Sequence, residues 1–171
     1  NGTIIDGTGK KRYKSDIKIS CGKIIAIEKN IKNVGQVIDA ENLFVAPGVI
    51  DIHGHSNATV YLNPSFESKI YQGITTEVWG NCGQSFAPIL EGNNRKAVID
   101  MLSTSLGAEN LDLKWRSYAE YVTYLLELGI NVLPLIGYGI IRTNILGNRN
   151  TEPTASEMQA MKDLLEDCLQ K

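Results

Sequence analysis

The sequence predicts an α/β protein in which a small antiparallel β unit precedes parallel β/α units that are too few to close a barrel. Three observations carry this reading. Residues 2–44 fall into short β-prone runs broken by turn residues. From residue 47 onward apolar strands alternate with helical segments, the pattern of parallel strands joined by right-handed crossovers. Three such strands are present, ending near His55, Trp79 and Ile136, whereas a closed barrel needs eight.

The first unit, residues 1–46, contains runs at 3–5, 16–20 and 24–27. Ile17 and Ile19 alternate against Lys18 and Ser20, and Gly22 suits a hairpin turn. Residues 37–40 and 43–45 extend the unit, and Pro47-Gly48 marks the change to the second, residues 47–171. There an apolar strand runs from 46 to 55. A helix over 64–72 has Pro64 near its first turn and Gly73 as its stop, and a Thr- and Val-rich strand covers 74–79. Helices are expected over 91–101 and 117–128, the second closed by Gly129, followed by a strand over 130–136 that includes Pro134. Thr154-Ala155-Ser156-Glu157 is a capping box, and Met158, Met161, Leu164, Leu165 and Cys168 follow it at helical spacing.

A hydrophobic content of 43% and a charged content of 21% are ordinary globular values. The net charge of -2 argues against general nucleic-acid or acidic-membrane binding. Cys21, Cys82 and Cys168 are odd in number and widely spaced, so a reducing compartment is expected rather than a disulfide framework. With no apolar run long enough to span a bilayer and no charged-then-apolar leader, the chain reads as cytoplasmic. Asn1 is not a start methionine, and the chain reads as a piece of something longer.

Chemistry concentrates in Asp51-Ile52-His53-Gly54-His55. On a strand, residues two apart share a face, so Asp51, His53 and His55 are expected to project together. Neutral imidazole is the commonest metal ligand, and two on one rigid strand end supply half a first shell. The alternative is a pair that fills an interior. The balance moves to metal because these are the only two histidines in the chain. Ligands of parallel β/α structures gather at the C-terminal strand ends. Cys82, in Gly80-Asn81-Cys82-Gly83 just past the second strand, is therefore a candidate ligand, with a buried core cysteine as the alternative. Arg142 is a candidate for binding a substrate carboxylate in bidentate fashion, although pairing with a structural carboxylate or the next turn is the simpler explanation.

Several segments together resemble the N-acyl-D-amino-acid deacylases, the D-aminoacylase branch of the amidohydrolase superfamily. These are residues 1–8, 46–55, Gln72-Gly73-Ile74-Thr75-Thr76, Gly80-Asn81-Cys82-Gly83 with 85–88, and Leu135-Ile136-Gly137-Tyr138-Gly139 with Arg142 and Gly147. The His-x-His strand is shared with hydantoinases and dihydroorotases; Gly-Asn-Cys-Gly with the 137–147 segment singles out the deacylases. The resemblance implies an elliptical (β/α)₈ barrel carrying a small β-sandwich, of which this chain holds half the sandwich and the first three β/α units. It implies zinc as cofactor, in one or two ions, with His53 and His55 at one position and Cys82 joining or bridging to a second, and hence weak zinc binding by these 171 residues alone. Asp51, Asn57, Asn81 and Tyr138 are the expected supporting residues. Asn57 and Tyr138 depart from the acidic residue and the histidine common in relatives, which bears on substrate preference.

The family's two later histidines and catalytic aspartate have no counterpart here, so the resemblance places them beyond Lys171, and the isolated chain is expected to be inactive. The implied partners are a small N-acyl amino acid and either the remainder of the chain or a second copy across the open barrel edges. The implied reaction is amide hydrolysis releasing a carboxylate and a D-amino acid. A hydantoinase-like cyclic-amide hydrolase is the alternative, but those enzymes usually bridge their metals with a carboxylated lysine, and no lysine sits where one is expected.

Overall fold

The computed structural model describes residues 1–32, 35–57, 59–61, 63–106, 113–125 and 128–170. Two compact units, Asn1–Gly48 and Val49–Lys171, divide the chain.

In the first unit β1 (Gly2–Ile4), β2 (Tyr13–Ser20), β3 (Lys23–Glu28) and β4 (Phe44–Val45) form one sheet in the order β3-β2-β1-β4. Cys21 and Gly22 both have positive φ, 49° and 71°, and join β2 to β3 as a two-residue hairpin. Primed turns of this kind match the twist of the flanking strands. The expected all-antiparallel unit is corrected at β4, which runs parallel to β1 with Thr3 opposite Phe44. Parallel pairing requires a long return, here the 39 positions between Ile4 and Phe44, into which β2 and β3 fit. Residues 37–40, expected as a strand, join no sheet. Ile4 is buried in this unit, whereas Ile19, Ile24 and Ile25 are more than half exposed.

The second unit is built on β5 (Val49–Asp51), β6 (Ile74–Trp79) and β7 (Asn131–Pro134), parallel and in that order. Helices α1 (Glu67–Ile70), α2 (Arg95–Leu106), α3 (Tyr118–Tyr124), α4 (Tyr138–Leu146) and α5 (Ala155–Leu169) follow along the chain. The strand expected over 46–55 is shorter, because His53, Gly54 and His55 leave the sheet as a loop after Asp51. The α1 helix is a single turn, since Phe66 at its start has a left-handed φ of 54° that interrupts the helix expected from Pro64. Residues 126 and 127 of the helix expected over 117–128 lie outside the described residues.

The capping box at Thr154 is formed: the Thr154 hydroxyl accepts from the Glu157 N–H, and the Glu157 carboxylate accepts from the Thr154 N–H at 2.8 Å. A second capping box, Ser117 with Glu120, starts α3. The main core gathers Phe86, Ile89, Val98, Leu102, Trp115, Tyr121 and Ile140. Trp115 Nε1 donates to the Phe86 carbonyl at 2.6 Å, so the largest side chain enters that core with its polar edge satisfied. A smaller cluster of Val60, Phe66, Trp79 and Ile130 lies around β6, with the Phe66 and Trp79 rings stacked 5.9 Å apart.

Ile140 is fully buried, so Ile140→Ala should lower the unfolding free energy by about 2–5 kcal/mol in urea titration. An unchanged midpoint would contradict this packing. Glu157 is held at a pKa of about 2, below its ordinary 4.5, by the Thr154 N–H, by Arg149 and by the Thr154 hydroxyl. A depressed carboxylate stabilises the fold above its unfolded pKa, and that contribution is lost as pH falls through the folded one. Stability should therefore fall between pH 4.5 and about 2, and Glu157→Gln should flatten that part of the profile.

Candidate metal centre

The site is set by the register of two parallel strands. Asp51 on β5 stands opposite Glu77 on β6, which brings two carboxylates together at the strand ends. Lys69, from α1, reaches both: its Nζ lies 2.9 Å from Asp51 Oδ2 and 3.3 Å from Glu77 Oε1. The hydrogen bond from Lys69, then that from the His53 N–H, holds the Asp51 carboxyl below its usual range. Burial by itself would lower the Lys69 pKa, but its bonds and charge attraction to Asp51 and Glu77 outweigh this and raise it.

Above this charge cluster the chain turns through His53, Gly54 and His55. The His53 N–H donates to Asp51 Oδ1 at 3.1 Å, and the Gly54 N–H donates to the Val78 carbonyl at 3.0 Å. Asn81 Nδ2 donates to the Gly54 carbonyl at 3.2 Å and to the Val78 carbonyl at 2.9 Å. Ser56 Oγ donates to Glu77 Oε1 at 2.8 Å. Gly54 has no room for a side chain, because a Cβ there would fall on the Glu77 carboxylate.

Cys82 follows β6 in a loop where its own φ is 57°. A left-handed φ is uncommon outside glycine, and here it turns Sγ back to 3.4 Å from His53 Nε2 and 3.6 Å from His55 Nε2. The loop is locked from its other side: a Cβ on Gly137 would fall on the backbone of Gly83. The two glycine-bearing motifs thus meet at backbone contact, just before α4.

The three donor atoms lie within 4.8 Å of one another, and all three side chains are exposed. They form one cluster, because the Cys82 backbone folds over the ends of β5 and β6 and brings its sulfur beside both imidazoles. Zinc bonds of about 2.0–2.1 Å to nitrogen and 2.3 Å to sulfur, at a tetrahedral angle, separate N from S by about 3.5–3.6 Å. The observed Sγ–Nε2 distances match those tetrahedron edges, and imidazole with thiolate is a donor set that suits zinc. The residues fit the metal.

The other expected residues are placed as follows. Asp51 and Asn81 support the His-Gly-His turn. Asn57 is buried, and its amide makes no hydrogen bond among the described residues. Tyr138 opens α4 and is exposed. Arg142 donates Nη2 to the carbonyls of Arg149 and Thr151, both at 2.8 Å, so its guanidinium ties down the loop after α4. Lys69, Glu77 and Ser56 were not singled out from the sequence. The available signal was Glu77 itself, a lone acidic residue in the Thr- and Val-rich strand Ile74–Trp79.

No protein-family model matches the chain. The N-acyl-D-aspartate deacylase of Alcaligenes xylosoxydans xylosoxydans is 34% identical over 171 residues, covering 98% of this chain and 33% of that protein. Among solved structures, a D-aminoacylase described with a binuclear metal center superposes with a TM-score of 0.83 at 29% identity, covering 99% of this chain and 35% of that one. An N-acyl-D-glutamate deacylase from Bordetella bronchiseptica, complexed with zinc and a phosphonate inhibitor, gives a TM-score of 0.80 at 35% identity with the same coverage. The chain is thus a homologue of the N-acyl-D-amino-acid deacylases over nearly its whole length. It spans about a third of the length of the relatives it matches. No helix among the described residues is long and apolar enough to cross a membrane.

A Gly54→Ala variant must move either the turn or the buried Glu77, and overpacking of this kind costs about 1–3 kcal/mol. Urea unfolding should show that loss; a midpoint equal to the parent's would contradict the close approach of Gly54 and Glu77.

Proposed function

We propose that the full-length protein is a zinc-dependent amidohydrolase that cleaves the amide bond of N-acyl-D-amino acids. The single observation that carries this is the approach of Cys82 Sγ to 3.4 Å from His53 Nε2 and 3.6 Å from His55 Nε2. Homology to deacylases of N-acyl-D-aspartate and N-acyl-D-glutamate supports the substrate class. The division into a β-sandwich portion, residues 1–46, and the opening part of a (β/α)₈ barrel, residues 47–171, is part of the same proposal.

A zinc ion at this cluster supplies Lewis-acid polarisation of the amide carbonyl and a more acidic water. His53 and His55 would offer imidazole nitrogens from a turn tied at His53, Gly54 and Ser56. Cys82 would offer its sulfur as the third ligand, and its loop is kept in place by the Gly83–Gly137 contact.

The full-length, metal-replete protein should release free amino acid from N-acetyl-D-aspartate, N-acetyl-D-glutamate or N-acetyl-D-methionine and not from the L forms. Cys82→Ala should abolish that release and remove zinc. Turnover of a cyclic amide with none from the D-acyl substrates would favour the hydantoinase-like alternative, and retained turnover in Cys82→Ala would return that residue to a structural role.

A further inference from the structure

We propose that Lys69 and Glu77 are positioning residues for the metal ligands: their ion pair, buried on the Glu77 side, fixes the His53-Gly54-His55 turn, and what it supplies is metal affinity rather than fold stability. The inference rests on the zinc reading above and deepens it.

Glu77 is completely buried, yet it occurs in a strand whose other residues are Ile, Thr, Val and Trp. Its Oε1 accepts from Ser56 Oγ at 2.8 Å and from the Ser56 N–H at 3.4 Å, and pairs with Lys69 Nζ at 3.3 Å. The same ammonium holds Asp51 at 2.9 Å, and Asp51 in turn accepts the His53 N–H. Both ends of the ligand turn, His53 and Ser56, therefore hang from two carboxylates joined through one cation. Gly54, in the middle, rests directly against the Glu77 carboxylate and admits no side chain. A rotation of the turn that moved either imidazole would have to break one of these contacts.

Stability alone does not call for this arrangement. A buried ion pair is often matched or exceeded in stability by apolar residues of similar volume. Glu77 Oε2, moreover, has no hydrogen-bond partner among the described residues, a costly feature for a pair selected to stabilise the fold. The contacts that are made all lead to the ligand turn or to the lysine that serves it. Partners that orient metal ligands in this way commonly govern metal affinity.

The test compares the full-length protein with a variant carrying Lys69→Met and Glu77→Leu together. In it Asp51, about a quarter exposed, keeps access to water. Zinc affinity is read by competition with a chromophoric chelator, the cobalt(II) derivative by its thiolate absorption band, and apo-protein stability by urea. The expected result is an unfolding midpoint equal to or above the parent's, zinc affinity about 10- to 100-fold weaker and a shifted cobalt spectrum. Affinity within about two-fold of the parent's, or a parallel loss of midpoint and affinity, would overturn the inference. If the double variant does not fold, Ser56→Ala removes one contact to Glu77 while leaving the ion pair, and should weaken zinc about two- to tenfold; unchanged affinity there would also overturn it. Failure of the unsubstituted protein to bind zinc or cobalt would instead sink the metal reading itself, and the positioning role with it.

Discussion

Asp51 and Glu77 stand in register on neighbouring parallel strands, and two carboxylates so placed repel each other unless a cation lies between them. Lys69 is that cation. Its placement depends on α1, a single turn of helix held between the loop after His55 and the start of β6. Around this three-charge unit the fold arranges what matters for chemistry. The strand ends fix the carboxylates, the carboxylates fix the His53–Ser56 turn, and the turn presents its two imidazoles next to the loop that follows β6. Glu77 is the fully buried member of the three, and taking away its cation alone would leave an uncompensated buried charge.

The second half of the site is held by a different kind of contact. Among the described residues no charged side chain bonds to Cys82. Its loop is kept by Asn81, which hydrogen-bonds across to the Gly54 carbonyl, and by backbone-to-backbone packing of Gly83 on Gly137. Asn81 thus links the two ligand loops, joining the cysteine to the turn that carries the histidines. The positive φ of Cys82 is a local cost of order 1–3 kcal/mol, which the surrounding contacts must offset for Sγ to remain within reach of both Nε2 atoms.

Much of this was legible in the sequence, and the reasons differ by element. The strand over residues 74–79 and the last helix were evident because their signals are local: a β-branched run in one case, a capping box with helical spacing in the other. The α4 helix went unread, since it opens with Gly137-Tyr138-Gly139, which resembles loop composition, and its packing against α2 and α5 is a tertiary matter. The parallel partner of β1 was equally hidden, because pairing across 39 positions leaves no mark in a short window. At the site, His53, His55 and Cys82 were identifiable from residue type and motif. That adjacent strand ends bring them together was legible too, whereas the left-handed φ of Cys82 that aims its sulfur at both imidazoles was not. The supporting role of Glu77 and Lys69 depends on strand register, which a single sequence does not display.

Zinc K-edge X-ray absorption on the zinc-loaded full-length protein tests the central claim most directly. If His53, His55 and Cys82 share one metal centre, the first shell contains a sulfur at about 2.3 Å beside nitrogen or oxygen at about 2.0–2.1 Å, and the sulfur is absent from the Cys82→Ala protein. A first shell of nitrogen and oxygen alone in the unsubstituted protein would contradict the account.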